Sequence, residues 1–179
     1  KDLEFGISYG GINIFGNGEM ELNKHLGINI KYHHELSKAF DFGVGFDNQG
    51  KGEYISQIKR YQIKSPGLFF VISYEYIWNN SNFLTVNGGM NYSVTEKKDD
   101  SDPNLFFGIE ETIGKYFSFC VEYDLAKNDD VYSKGKGYWN IKFNYEPIKN
   151  VILNLDFKDL SKKSDSKYIG RIIGVKVVF

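Results

Sequence analysis

A single cysteine in 179 residues leaves Cys120 without an intrachain disulfide partner. Three prolines are few for an all-β domain in water. No stretch reaches 18 consecutive apolar residues, which excludes a transmembrane helix. Neither sign of charge dominates. The 22 Lys and Arg against 23 Asp and Glu give a formal net charge of −1, and no polycationic surface for nucleic acid is implied. Histidine numbers only three. His33 and His34 are adjacent, so on a strand they point to opposite faces and cannot build one site. No signal peptide precedes Lys1-Asp-Leu-Glu-Phe, so an exported protein would be in a mature or trimmed form.

What the chain does have is aromatic residues, 15 Phe and 13 Tyr, and 19 glycines, arranged with a period of two. In Phe40 to Asp47, Phe40, Phe42, Val44 and Phe46 fall on one face, and Asp41, Gly43, Gly45 and Asp47 on the other. Phe117, Phe119, Val121 and Tyr123 alternate with Ser118, Cys120, Glu122 and Asp124. Trp139, Ile141, Phe143 and Tyr145 alternate with Asn140, Lys142 and Asn144. Alternation of this kind places one set of side chains on each face of a strand. Ten strands are expected, near 2–14, 20–34, 39–48, 66–78, 83–95, 104–113, 116–126, 136–146, 151–160 and 168–179. Eight is the alternative if the first two are misread. The apolar faces are bulky, while the opposite faces carry Gly, Ser, Asn and charge. A closed barrel of this size has a limited lumen. The bulky set would overfill it and the small polar set would fit, so the apolar face is expected outside, against lipid.

The last strand carries the pattern to its end. Ile173, Val175, Val177 and Phe179 share a face, and the chain stops on the aromatic residue. This resembles the small bacterial outer-membrane β-barrel proteins of the OmpA-transmembrane and porin-like type, whose last strand ends on a Phe read by the assembly machinery. The resemblance covers the whole chain as a pattern, with only the last strand motif-grade. It implies an all-β fold over residues 1–179: a single antiparallel up-and-down transmembrane barrel with both termini periplasmic. Implied partners are outer-membrane lipids, lipopolysaccharide and the barrel-assembly machinery, with a possible extracellular ligand at the external loops. The connections fit. Short turns at 35–38, 79–82, 114–115 and 146–150 alternate with longer polar segments at 48–66, 96–103, 127–135 and 159–167, as transmembrane barrels arrange them. A mean hydropathy of −0.39 does not conflict, because only alternate residues meet lipid.

Two places break the pattern. Gly10-Gly11 interrupts the alternation of the first strand, where a bulge would repair it. Glu111 falls among the outward residues of the 104–113 strand, which puts it near the headgroups or requires a register shift.

The inward set is charged. Glu4, Asp41, Glu75, Glu110, Glu122, Asp124 and Asp156 oppose Lys31, Lys142, Lys158 and Lys176. Buried charges need partners or water. The expectation is a lumen largely filled by cross-strand ion pairs, in a barrel with a structural or surface-interaction role. The alternative is a narrow, cation-leaning channel for ions or small solutes. A rim-located enzyme is the weakest reading. Unlike omptin-like proteases, no external loop carries a His apart from His25 near the first, and the His-x-Ser of the deacylases is missing. Cys120 has no His nearby in sequence and reads as a small filler. Asp99, Asp100 and Asp102 lack the Gly and terminal Glu of a calcium loop and read as a solvated acidic segment. No metal or cofactor is implied.

Overall fold

A computed structural model describes residues 3–14, 19–79, 82–94, 103–127, 137–162 and 169–179. Among them ten long strands form an antiparallel barrel: β1 (Leu3–Ile12), β3 (Gly27–Glu35), β4 (Phe40–Asp47), β7 (Gly67–Asn79), β8 (Asn82–Ser93), β9 (Asn104–Ile113), β10 (Phe117–Asp124), β11 (Tyr138–Ile148), β12 (Val151–Lys158) and β13 (Gly170–Val178). Each pairs with the next in chain order, and β13 pairs with β1 from Glu4–Val178 to Ile12–Gly170, which closes the wall. Closure removes the free edges that would otherwise invite aggregation. Leu3 and Phe179 lie together at the end of the barrel that carries the short turns.

The barrel is inside-out. Apolar side chains buried among the described residues are few: Tyr61, Val71, Ala126, Tyr138 and Ile172. Every barrel strand instead exposes large apolar residues outward, such as Ile7, Ile30, Val44, Ile72, Val86, Ile109, Phe117, Phe143, Leu153 and Val175. An apolar surface running around the whole wall is far beyond what a water-soluble monomer tolerates. Phe40, Val44, Phe117, Trp139 and Phe143 are exposed, and Phe42, Phe46, Phe119, Val121 and Ile141 are half-buried among their neighbours on the same face. Rings pair across strands on that face. Phe117 stacks on Tyr145 at 4.9 Å, Phe119 meets Phe143 at 5.1 Å and Tyr123 meets Trp139 at 4.9 Å. Such cross-strand pairs pin register.

Three local features depart from the sequence reading. The expected strand 20–34 is split into β2 (Glu21–Leu22) and β3, and β1 passes from β3 to β2 after Ser8. The pairing of β1 with β13 runs unbroken through Gly10 and Gly11, so the irregularity sits in the chain opposite, between Leu22 and Gly27, and not in a bulge at the glycines. The segment 48–66, expected to be a plain loop, contains a hairpin of β5 (Lys51–Ile55) and β6 (Arg60–Ile63). No shift is needed at Glu111. It pairs in register with Leu84 and Phe119, two residues from the end of β9, where a carboxylate reaches the interface.

Candidate functional site

The lumen is the site. Its inner face is kept open by glycines at Gly6, Gly43, Gly45, Gly89, Gly108 and Gly174. Two of these do more than save space. A Cβ on Gly45 would lie 2.5 Å from the Phe69 ring and one on Gly89 would lie 2.3 Å from the Phe106 ring. Gly45 pairs with Phe69 and Gly89 with Phe106 across adjacent strands, so two inward aromatic rings lie flat on bare backbone. Phe69 and Phe106 point inward among the small polar residues, and glycine gives them the room.

The cavity that remains has a volume of about 500 Å³. It runs from Lys115, Tyr116 and Glu146 at the short-turn end to Gln49, Ser65, Asp124 and Tyr138 at the other. Seven carboxylates and six lysines line it. Of the residues expected in the charge network, Glu4, Lys31, Glu110, Glu122, Asp124, Lys142, Asp156, Lys158 and Lys176 line this cavity. Asp41 is half-buried on the inner face outside it, and its Oδ1 has no hydrogen-bond partner in the protein. Glu75, expected deep in its strand, is exposed near the short-turn end. Asp47, Lys64, Lys115 and Glu146 join the lining instead. The acidic excess of seven to four therefore shrinks to seven to six.

The charges are organised in linked pairs. Lys176 meets Glu4 at 2.8 Å, Lys142 meets Asp156 at 3.6 Å, and Lys158 reaches over β11 to Glu122 at 3.9 Å. Amides knit these together. Asn140 donates to Glu122 at 2.9 Å and Asn154 donates to Asp156 at 3.0 Å. Ser118 donates to Glu110 at 2.6 Å and receives a hydrogen bond from Asn144 at 2.9 Å. Near the long-loop end Asn104 donates to Asp124 at 2.6 Å, and the Ala126 amide donates to the same oxygen at 2.8 Å. The three ion pairs are not dry: their side chains keep between 10% and 41% of their surface. A wetted ion pair holds shape without demanding the desolvation that a dry one does.

At the long-loop end the β4–β7 connection bends inward. The Lys64 ammonium is tied to the Asp47 carboxylate. Burial works against its charge, but Asp47, with Glu122 and Asp124 adding to it, holds Lys64 above the ordinary lysine value. Sequence reasoning gave Asp47 an inward face but left Lys64 in a loop, and no local pattern marks the contact between them.

The remaining expected features are structurally simple. Cys120 is half-buried in the lumen wall between Glu110 and Lys142. Among the described residues no group of three or more His, Cys, Asp or Glu is arranged to hold a metal. Asp99, Asp100 and Asp102 lie outside the described residues. His33 and His34 fall on opposite faces of β3, and His25 packs edge-on against Tyr54 at 4.7 Å. In the last strand Ile173, Val175, Val177 and Phe179 share the outer face, with Phe179 exposed.

No protein-family model and no curated protein sequence matches the chain. Solved structures do. The NanC porin aligns over 99% of this chain and 100% of its own, with a TM-score of 0.50 and 11% identity. The KdgM porin aligns over 98% and 99%, with a TM-score of 0.48 and 13% identity. The Yersinia pestis outer membrane protein Ail, in a phospholipid bilayer nanodisc, aligns over 99% of both chains with a TM-score of 0.37 and 14% identity. The likeness is one of fold: a small, closed antiparallel β-barrel.

Proposed function

We propose that the protein is an outer-membrane channel, narrow and water-filled, for ions and small polar solutes. The observation that carries this reading is the charged, polar cavity of about 500 Å³ that runs between the two ends of the barrel. Spread along an apolar band ~25 Å tall, that volume is a passage a few ångströms across. It suits water and small ions and excludes bulky solutes. The periplasmic side is assigned to the termini and short turns, as in other barrels of this type. The outer face is assigned to lipid and lipopolysaccharide, and the last strand with Phe179 to recognition by assembly machinery. Planar-bilayer recording of the refolded protein tests the channel: small, regular conductance steps support it, and silence under all voltages overturns it.

A second reading keeps the barrel closed, with a structural or surface-interaction role for the long loops. It is favoured by the buried roof at that end, where Arg60, Asn104, Ala126 and Asp159 are almost wholly covered.

A further inference from the structure

The lumen is narrowed at the long-loop end by chain that is not barrel wall. Outside the barrel strands, the cavity lining at this end comes from Gln49, Gly50, Lys64 and Ser65. All four belong to the β4–β7 connection, which enters the mouth on two legs. The first is pinned to the wall. Ser8 of β1 donates to Gln49 Oε1 at 3.3 Å, Asn23 donates to the Gly50 carbonyl at 3.1 Å, and the Gln49 amide donates to Asp47 Oδ1 at 2.9 Å. The second leg returns through Lys64, whose φ of +67° is left-handed, a conformation that a lysine holds only when its surroundings require it. Its ammonium donates to Asp47 and so joins the two legs. At the same end of the cavity, the Ser65 and Ser93 hydroxyls are buried with no hydrogen-bond partner among the described residues.

The pair also faces charge from the opposite wall. Between β4 and β10 lie three strands one way round and five the other, so the two are nearly diametric. Yet Glu122 and Asp124 of β10 both act on the Lys64 charge, and Lys158 acts on Asp47. Fixed charges of both signs therefore act on one another across the lumen. A passing ion at this end meets fixed charge of both signs.

We infer that the Asp47–Lys64 pair, carried into the mouth by the β4–β7 connection, is the element that sets the charge selectivity of the lumen. This rests on the channel reading. With Asp47 and Lys64 offsetting each other in the mouth, the unmodified protein passes small cations and anions with little preference. The two hydroxyls of Ser65 and Ser93, able to donate or accept, supply hydration for either.

The test is reversal potential in a potassium chloride gradient across planar bilayers. Folding of each variant is checked first by heat-modified migration on gels. Lys64→Gln leaves Asp47 alone and should shift the permeability ratio several-fold toward potassium. Asp47→Asn removes the carboxylate and keeps the Lys64 charge, and should shift it toward chloride. The charge swap Asp47→Lys with Lys64→Asp restores the pair and should return the ratio close to that of the unmodified protein. Lys115→Gln removes a cation from the short-turn end and should move the ratio much less. Shifts of one sign for both single variants, or a Lys115→Gln shift as large as that of Lys64→Gln, would overturn the inference while leaving a conducting channel. A silent unmodified protein overturns the channel reading, and this inference with it.

Discussion

At the scale of single residues, two neighbouring glycines do opposite things. Gly88 faces outward, and a Cβ there would lie 3.7 Å from the Phe107 ring, an ordinary contact. Gly89 faces inward, and its Cβ would lie 2.3 Å from the Phe106 ring and 2.5 Å from the Phe70 carbonyl oxygen. Gly88→Ala should therefore leave stability nearly unchanged. Gly89→Ala should cost about 1–3 kcal/mol through overpacking. Urea unfolding in lipid vesicles separates them, and equal stabilities would mean that Phe106 is not seated on that backbone. The outward set gives a complementary contrast. Val44 is exposed to lipid in the middle of β4, so Val44→Arg should cost ~2–4 kcal/mol. Thr112→Arg, which enters the charged lumen on the same strand as Glu110, should cost much less. Similar losses for both would reverse the assignment of inside and outside. Asn140 does not serve as the tolerant position, despite its inward face, because it is buried and holds both Glu122 and the Asp159 amide.

At the scale of elements, the strands were legible in the sequence because each has one lipid face and one water face, and period-two alternation records that difference directly. The ends were legible too: short turns and long segments alternate in composition. What sits between strands was not. The β5–β6 hairpin lies in a polar segment with no sustained alternation, and its docking depends on Tyr54 meeting the His25 ring at 4.7 Å and the Tyr61 hydroxyl donating to the His25 carbonyl at 3.5 Å. The Lys64–Asp47 tie joins residues 17 apart through that hairpin, so no local spacing reveals it. Because the Lys64 pKa is raised on folding, the stability it contributes is complete below the ordinary lysine value of 10.5 and is lost as pH rises through the higher folded value. The selectivity set by the pair should therefore hold from neutral pH up to about pH 10 and change only in stronger alkali. A reversal potential that drifts on the lysine side between pH 7 and 9 would contradict this. At the other end, the Phe179 amide donates to the Leu3 carbonyl at 2.8 Å while its ring stays exposed. Substituting the ring, as in Phe179→Ser, keeps that hydrogen bond. Stability of the refolded barrel should change little, while assembly in cells slows if the ring is what the machinery reads. Equal assembly of both forms would remove that role.

For the whole molecule, the distribution of apolar surface outweighs its amount. A chain of modest mean hydropathy closes a wall whose outer face is greasy on every strand and whose inner face is wet. It should need detergent or lipid to stay monodisperse, and its folded form should migrate differently on gels before and after heating. The closing issue is whether the ion pairs fill the lumen or line it. Glu122 decides between the two because it has partners on both sides, Asn140 at 2.9 Å and Lys158 at 3.9 Å. In a dry plug, Glu122→Gln would strand Lys158 as a buried unpaired charge and cost ~3–5 kcal/mol. In a wetted channel, water takes over, and the loss should fall to about 1 kcal/mol or less. The side chains keep 30% and 22% of their surface, which favours the second. The same change brings the lining from seven carboxylates to six, level with the six lysines, so permeation should tilt modestly toward anions. Urea refolding and reversal potentials on the same preparation read both effects. A large stability loss with no conductance would make the barrel a plug.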